Sequence, residues 1–452
     1  MKKSVLWSLR LGFSSAQSKK IETLGLKNFL TESFKVKTDT TIPSFLENEP
    51  KKLKDYRELR KKAKNFSAEE KKEFNIEQRK TGIELQKWWL NKIMTAEFPL
   101  NESMICFWHN HFVSTQQKVK VNYWVYQHHM VLRHHAFGNF KTLTKEIIRS
   151  NAMISYLDNA KNRDNNFNEN LSRELLELFT LGIGNYTEQD IKNGAKALAG
   201  LNYGDDAGNY IRYFENNDTI NYLGKTGVFK LDDIIDIIFE QPNIPYLITE
   251  KLLKWFIEDE PSKEKIKALG NYFKDVNFEI QPLLTKMFTE AYNDKTVGAK
   301  IKDPLRYIIQ LKNELNLTID KPESILYFLR QQGMELFNQP NVKGWDGGNS
   351  WLSSQTYLQR NNVADLLCMG KLIRGKSKNQ VKPKIELYNS KMNNKEIIKT
   401  LTDNLVFNVS KDMQTDMEAL LKYDFDATSP NADAAILRVF NYIIKTPEFQ
   451  VI

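Results

Sequence analysis

Apolar residues recur at three- and four-residue spacing along nearly the whole chain, the period of helices with one buried face. The stretches 21–34, 82–94, 122–137, 142–157, 171–181, 187–200 and 231–240 all carry it. So do 245–259, 280–292, 303–315 and 433–446. Strict alternation is scarce. Its best example is NYIRYFENNDTINYL, 209–223, which predicts a short hairpin turning at Asn216, Asn217 and Asp218. The pattern predicts a mainly α fold: a large multi-helical single domain over 1–452 with a small β-hairpin near 209–223. Within it, 1–160 reads as an N-terminal helical lobe, 161–373 as a central helical core and 374–452 as C-terminal helices. The seams would fall near 161–168 and in the Lys-rich stretch 374–396.

One stretch breaks the amphipathic rhythm with charge. Residues 51–80 hold twelve Lys or Arg against six Asp or Glu, and Ser67 with Glu70 forms a capping box that starts a second helix. A charged helical hairpin is predicted there, with a solvated face as its plain role and an acidic surface as the alternative partner. The net charge of +9 is otherwise spread along the chain. It would suit an anionic glycan or a membrane surface. No nucleic acid is predicted as a partner, because none of the usual nucleic-acid-binding signatures is present.

A composition of 41% hydrophobic residues excludes a disordered chain. The two cysteines, Cys106 and Cys368, lie far apart among apolar neighbours and read as buried thiols, not a disulfide framework. No apolar run reaches the roughly 18 residues that span a bilayer, so no transmembrane segment is expected. The start, MKKSVLWSLRLGFSSAQ, has a basic n-region and small residues, but Arg10 interrupts its apolar core. A cytoplasmic location is therefore the expectation, with export as the alternative.

All six histidines fall between 109 and 135. On a helix His109 and His111 point about 200° apart, so they could share a metal only from a strand or loop. His128, His129, His134 and His135 lack the spacing of a helical two-histidine site and read as packing or surface residues. The segment NENLSRELLELFTLG, 168–182, is the richest in charge on an apolar helix. Asn168 is its expected N-cap and Gly182 its left-handed stop. Glu169, Arg173 and Glu177 align at four-residue spacing with Glu174 beside them, and a central position would partly desolvate them. A structural lock between helices and an acid–base or metal-holding role both stay open, the lock first. The loop NQPNVKGWDGGNSW, 338–351, offers flat faces from Trp345 and Trp351 and polar reach from Asn341 and Lys343, a mix suited to a sugar ring or to a plug in the core. Two decoys fail. LGKTG, 223–227, lacks the first glycine and the strand of a phosphate loop, and 158–170 has no register with both the turn glycine and the closing glutamate of a calcium loop.

These segments together resemble the bacterial family designated domain of unknown function 1800, over nearly the whole chain from LWSLRLGF to TPEFQ. FPLNESMICFWHNHF, NENLSRELLELFTLGIGNYTEQDI, EKLLKWF, GAKIKDPLRYII and QPNVKGWDGGNSWL carry the resemblance. It implies an α-rich fold and, because its pattern starts at residue 6, an N-terminus that is part of the domain. Many relatives are exported. They often accompany an alkaline-phosphatase-type or sulfatase-type partner, which implies a shared pathway acting on a sulfated or phosphorylated polymer, with a polysaccharide as a candidate partner of this chain. Three positions depart from the family pattern: Phe179 replaces a common histidine, Asn217 precedes Asp218 where His-Asp is frequent, and Arg306 follows DPL where glutamate is common. A divalent metal is the one cofactor left open, and these departures put it in doubt.

Two functions follow as expectations. In the first, the protein is an enzyme, such as a hydrolase, acting on a glycan or other polymer. His109 or His111 would work with Glu174 or Glu177, Arg173 would orient a carboxylate, and the 338–351 loop would wall the pocket. In the second, it is a non-catalytic helical scaffold or binding protein in which those residues form a buried polar lock.

Overall fold

The computed structural model describes residues 1–294, 298, 300–319, 321–373, 381–421 and 425–452. Helices dominate: 21 α-helices are present among the described residues, and the β content is two two-stranded sheets. One cluster of buried apolar side chains runs from Val5 to Ile452 and includes residues of all three expected subregions. The seam expected at 161–168 is tied down instead. Asn162 is buried, donates to Ala195 O at 2.8 Å and accepts from Asn168 N at 3.0 Å. Of the second seam, 374–380 lies outside the described residues.

The N-terminal helix Lys3–Leu11 has eight buried residues, including Trp7 and Arg10. Lys2 N and the Met1 amine donate to Asp403 O and Val406 O, so this stretch is tied to the C-terminal part of the fold. Among the described residues no helix is long and apolar enough to cross a membrane.

The charged hairpin forms from Leu53–Lys64 and Ala68–Thr95. Both bonds of the Ser67–Glu70 capping box are made. The second helix runs on without a break through the segment 82–94, so the exposed basic arm and the buried Trp89 share one 28-residue rod. The segment 142–157 splits the other way. Ser150 Oγ accepts from Met153 N and caps a new helix, Asn151–Tyr156, after Phe140–Ile148.

The β content falls near 209–223, but in a different pairing. Asn209–Tyr210 pairs with Leu201–Asn202, and Ile220–Tyr222 pairs with Lys225–Gly227. The Asn216–Asp218 stretch is not the turn. Asn216 is buried, donates to Asp164 Oδ1 at 2.5 Å and accepts from Asp218 N, which fixes it to a distant loop.

Around the centre lies the helix Leu100–His111, buried on every side except at Asn110. A helix covered all round must spend its polar side chains on internal partners. Its C-terminal end meets three elements: the helix Ile244–Phe256, the segment 170–181 and the loop 338–351.

Candidate functional site

The two histidines of WHNHF do lie on a helix, and they diverge as the helical period requires. His109 faces the interior against Trp89 and Phe337. Its Nε2 sits 3.0 Å from His129 Nδ1. His129 Nε2 accepts from Arg133 Nε and Nη2 at 3.3 and 3.2 Å, and Arg133 donates to both oxygens of Glu102 at 2.7 and 2.8 Å. Arginine can only donate, so His129 carries its proton on Nδ1, gives it to His109 Nε2, and leaves His109 protonated on Nδ1. Burial and the neighbouring charge of Arg133 hold both rings well below the usual histidine range, so both are neutral. This is a polar lock, and His109 belongs to it rather than to an open site. His128 is likewise internal, bonded to Phe112 O at 3.0 Å, whereas His134 is exposed and His135 meets Glu146.

His111 faces the opposite way, into a cavity of about 470 Å³. Its Nε2 donates to Phe179 O at 3.0 Å, which leaves Nδ1 bare to accept from Lys251 Nζ at 3.2 Å. Lys251 also donates to Leu178 O at 2.8 Å. Both carbonyls come from one place. The helix Asn170–Glu174 widens into a π-helix over Leu175–Thr180, an element the spacing of apolar residues could not distinguish from an ordinary helix, and its last carbonyls turn towards these two side chains. The stop is as expected, Gly182 closing the helix with φ +83°; the N-cap is Glu169, one residue beyond the expected Asn168, whose Oδ1 accepts from Asn170 N.

The carboxylates expected to join the histidines do not. Arg173 pairs with Glu188 through both nitrogens and with Glu169 at 3.1 Å, on the half-exposed side of the segment. Glu177 accepts from the Tyr186 hydroxyl at 3.0 Å. Glu174 is held up by burial and by Glu177, and it feels the charge of Lys343. None of the three lines the cavity with His111. The reason is geometric: the carbonyl end of this segment, not its charged flank, meets the central helix.

The loop does meet it. Lys343, Trp345 and Trp351 line the cavity; Asn341 does not, its Oδ1 instead accepting from Lys343 N at 2.8 Å to shape the turn. Gln339 Nε2 donates to His109 O at 3.0 Å and Trp345 N to Asn110 Oδ1 at 2.6 Å, so the loop is clamped to the last turn of the central helix. Gly344 makes the clamp fit. Its φ is +93°, and a Cβ there would stand 2.5 Å from Asn110 O. Gly344→Ala should therefore cost about 3 kcal/mol in chemical denaturation, more than Gly347→Ala, whose Cβ would meet nothing within 4 Å and whose cost, from a backbone at φ +76° and ψ −178° that other residues rarely adopt, is about 1–2 kcal/mol. Equal losses would show that the contact with Asn110 does not hold the loop.

Sequence reasoning missed the lysines. Lys251, Lys254 and Lys300 line the cavity beside Lys343, with Glu250, Asp259 and Asp346 as the acidic residues. The signal for Lys251 was its place on the buried stripe of its helix, three residues after Ile248 and four before Trp255. Lys254 meets Glu250 at 2.6 Å and Lys300 meets Asp259 at 3.3 Å. Among the described residues Lys251 has no carboxylate within ion-pair distance. Burial pulls its ammonium down to about 8.

A metal does not fit this donor set. Among the described residues no group of three or more His, Cys, Asp or Glu is arranged to hold one. At His111 one nitrogen is spent on a carbonyl and the other faces an amine, and the neighbouring ring, 6.0 Å away, is that of Phe179, which offers no ligand atom. Arg306, another of the three expected departures, is buried on Asp303 and on Leu9 O and Ser103, so its positive charge is already spent within the core.

No curated protein and no solved structure matches the chain. The family model described as "Protein of unknown function (DUF1800)" matches residues 4–451, and the chain belongs to that family.

Proposed function

We propose that the cavity binds a negatively charged unit of a glycan or similar polymer, and that the protein is an enzyme acting on it with Lys251 and His111 as its proton-transferring pair. The observation that carries this reading is the company around His111: four lysines against three carboxylates, with Trp345 and Trp351 in the walls. Two of those lysines are matched by Glu250 and Asp259; Lys343 is left as the cation for a ligand, opposed only by Asp346, and Lys251 is left as an amine with no carboxylate partner among the described residues. An ammonium near the mouth gives attraction and orientation, and an amine titrating near neutrality can take or give a proton. A partner of the sulfatase-like type would then work on the same anionic polymer, removing the groups that this cavity recognises.

Calorimetric titration with matched oligosaccharides tests the reading. Carboxylated or sulfated forms are expected to bind and their neutral counterparts to bind at least about tenfold more weakly, a difference of roughly 1.4 kcal/mol. Lys343→Ala, at an exposed position, should narrow that gap. Equal affinity for charged and neutral forms would remove the proposal. The scaffold reading draws on the His109 lock, and mass spectrometry of the bound oligosaccharide separates the two: an unchanged ligand after prolonged incubation favours a binding protein.

A further inference from the structure

We infer that Lys251 forms an imine with the carbonyl carbon of an anionic aldehyde or ketone held in the cavity, with His111 relaying the protons. This rests on the reading that the cavity takes a negatively charged ligand, and it adds the reacting group and the ligand's second functional group. The ligand class is a carbonyl compound carrying a carboxylate, sulfate or phosphate, such as the open-chain end of an acidic sugar.

The geometry at the Lys251 nitrogen is the ground for it. A neutral amine has two N–H donors and one lone pair. Two protein acceptors stand at Nζ, Leu178 O at 2.8 Å and the bare Nδ1 of His111 at 3.2 Å. Both protons of the free amine are thereby placed, and the remaining tetrahedral position, the lone pair, is left to the cavity that Lys251 lines. An ammonium would carry a third proton with no further acceptor and no carboxylate partner among the described residues. The neighbouring lysines are arranged differently. Lys254 meets Glu250, and Lys300, though burial lowers it too, meets Asp259 and donates to Lys254 O at 2.7 Å, so each has the carboxylate partner that Lys251 lacks. Burial pulls Lys251 down to about 8, in the direction its missing partner requires.

A cation for the ligand's charge lines the same cavity. Lys343 is exposed on the 338–351 loop. Its ammonium would meet the anionic group while the carbonyl meets Lys251.

The step balances. The Nζ lone pair attacks the carbonyl carbon, a C–N bond forms, and the C=O pair moves onto oxygen. One proton leaves nitrogen for His111 Nδ1 and passes to that oxygen, giving the carbinolamine. The nitrogen lone pair then expels the hydroxyl, which takes the second amine proton through the same ring and leaves as water. Both amine protons end on the departing oxygen, so no oxidant or other reactant is needed. His111 suits the relay because Phe179 O fixes its Nε2 proton and keeps Nδ1 as the basic atom.

Reductive trapping on the full chain tests this. Glyoxylate, an anionic aldehyde, is added with cyanoborohydride, and carboxymethylation of each lysine is followed by peptide mapping. Lys251 should be labelled at least about tenfold faster than Lys254 and Lys343, because the free-amine fraction sets the rate. Its labelling should rise with pH to a plateau with a midpoint near 8. In His111→Gln, labelling at Lys251 should slow while that at Lys343 is unchanged. Labelling of Lys251 no faster than of Lys254 and Lys343 in the unmodified protein would overturn the inference without needing any variant. Two outcomes separate it from the reading beneath it. If charged oligosaccharides bind selectively but Lys251 is not preferentially trapped, the imine falls and the anion site stands. If glyceraldehyde, which is neutral, traps Lys251 as fast as glyoxylate, the imine stands and anion selection falls.

Discussion

Arg133→Met is expected to destabilise the folded protein by about 3–5 kcal/mol, the usual cost of stranding one partner of a buried ion pair. Arg133 and Glu102 are 5% and 7% exposed, and the guanidinium meets both carboxylate oxygens. Removing it leaves a buried negative charge with no comparable donor. It also frees His129 Nε2, which is what fixes the proton on His129 Nδ1 and so orders the bond to His109. One substitution therefore leaves three groups badly matched. The double variant Glu102→Leu with Arg133→Met should lose less than Arg133→Met alone, because replacing both partners removes the stranded charge. Urea denaturation of the three proteins gives the comparison. A loss below about 1 kcal/mol for Arg133→Met would mean that water or a rearranged side chain satisfies Glu102, and that the chain of histidines is not locked by this pair.

That network also marks where the sequence was readable and where it was not. The helices were legible because each buries one stripe against the common core, and that leaves its period in the order of residues. The capping box at Ser67 and the stop at Gly182 were legible for a similar reason, and the start of the 170–181 segment to within a residue: each acts within a few residues of itself. The divergence of His109 and His111 followed from the helical turn alone. Their partners did not, because Arg133, Glu102 and Lys251 reach them across the fold, and nothing local records which face of the central helix each will meet. The π-turn at Leu175–Thr180 was invisible in the same way. Its widening is set by where the carbonyls of Leu178 and Phe179 find donors, Lys251 and His111, on other elements. The carboxylates at 174 and 177 attracted attention as charges on an apolar helix. Their side chains point along its half-exposed flank, whereas its carbonyl end meets His111 and Lys251. The loop 338–351 was legible as unusual from its glycines and tryptophans. That Gly344 answers to Asn110 required the contact itself.

Glu314 should give the protein a stability that falls as pH rises through the mildly acidic range. Its carboxyl lies 7% exposed at the end of the helix Pro304–Glu314, where it accepts from the Ser15 hydroxyl. Burial raises it to about 7, against the partial relief given by Ser15 and the charge of Lys302. A carboxyl raised on folding binds more protons in the native than in the unfolded state between its two values. The folded state is therefore favoured below the unfolded value and loses that advantage as pH climbs to about 7, after which this group contributes no further change. The span corresponds to about 3 kcal/mol of destabilisation at pH 8 relative to pH 4. Glu314→Gln keeps an acceptor for Ser15 and carries no charge. It is expected to match the unmodified protein near pH 4 and to exceed it by up to about 3 kcal/mol at pH 8, read by denaturation across the range. Equal stability of the two proteins at pH 8 would mean that Lys302 and Ser15 fully compensate the buried charge. A variant less stable at both pH values would instead assign Glu314 a hydrogen bond, made by its second oxygen, that the amide cannot replace.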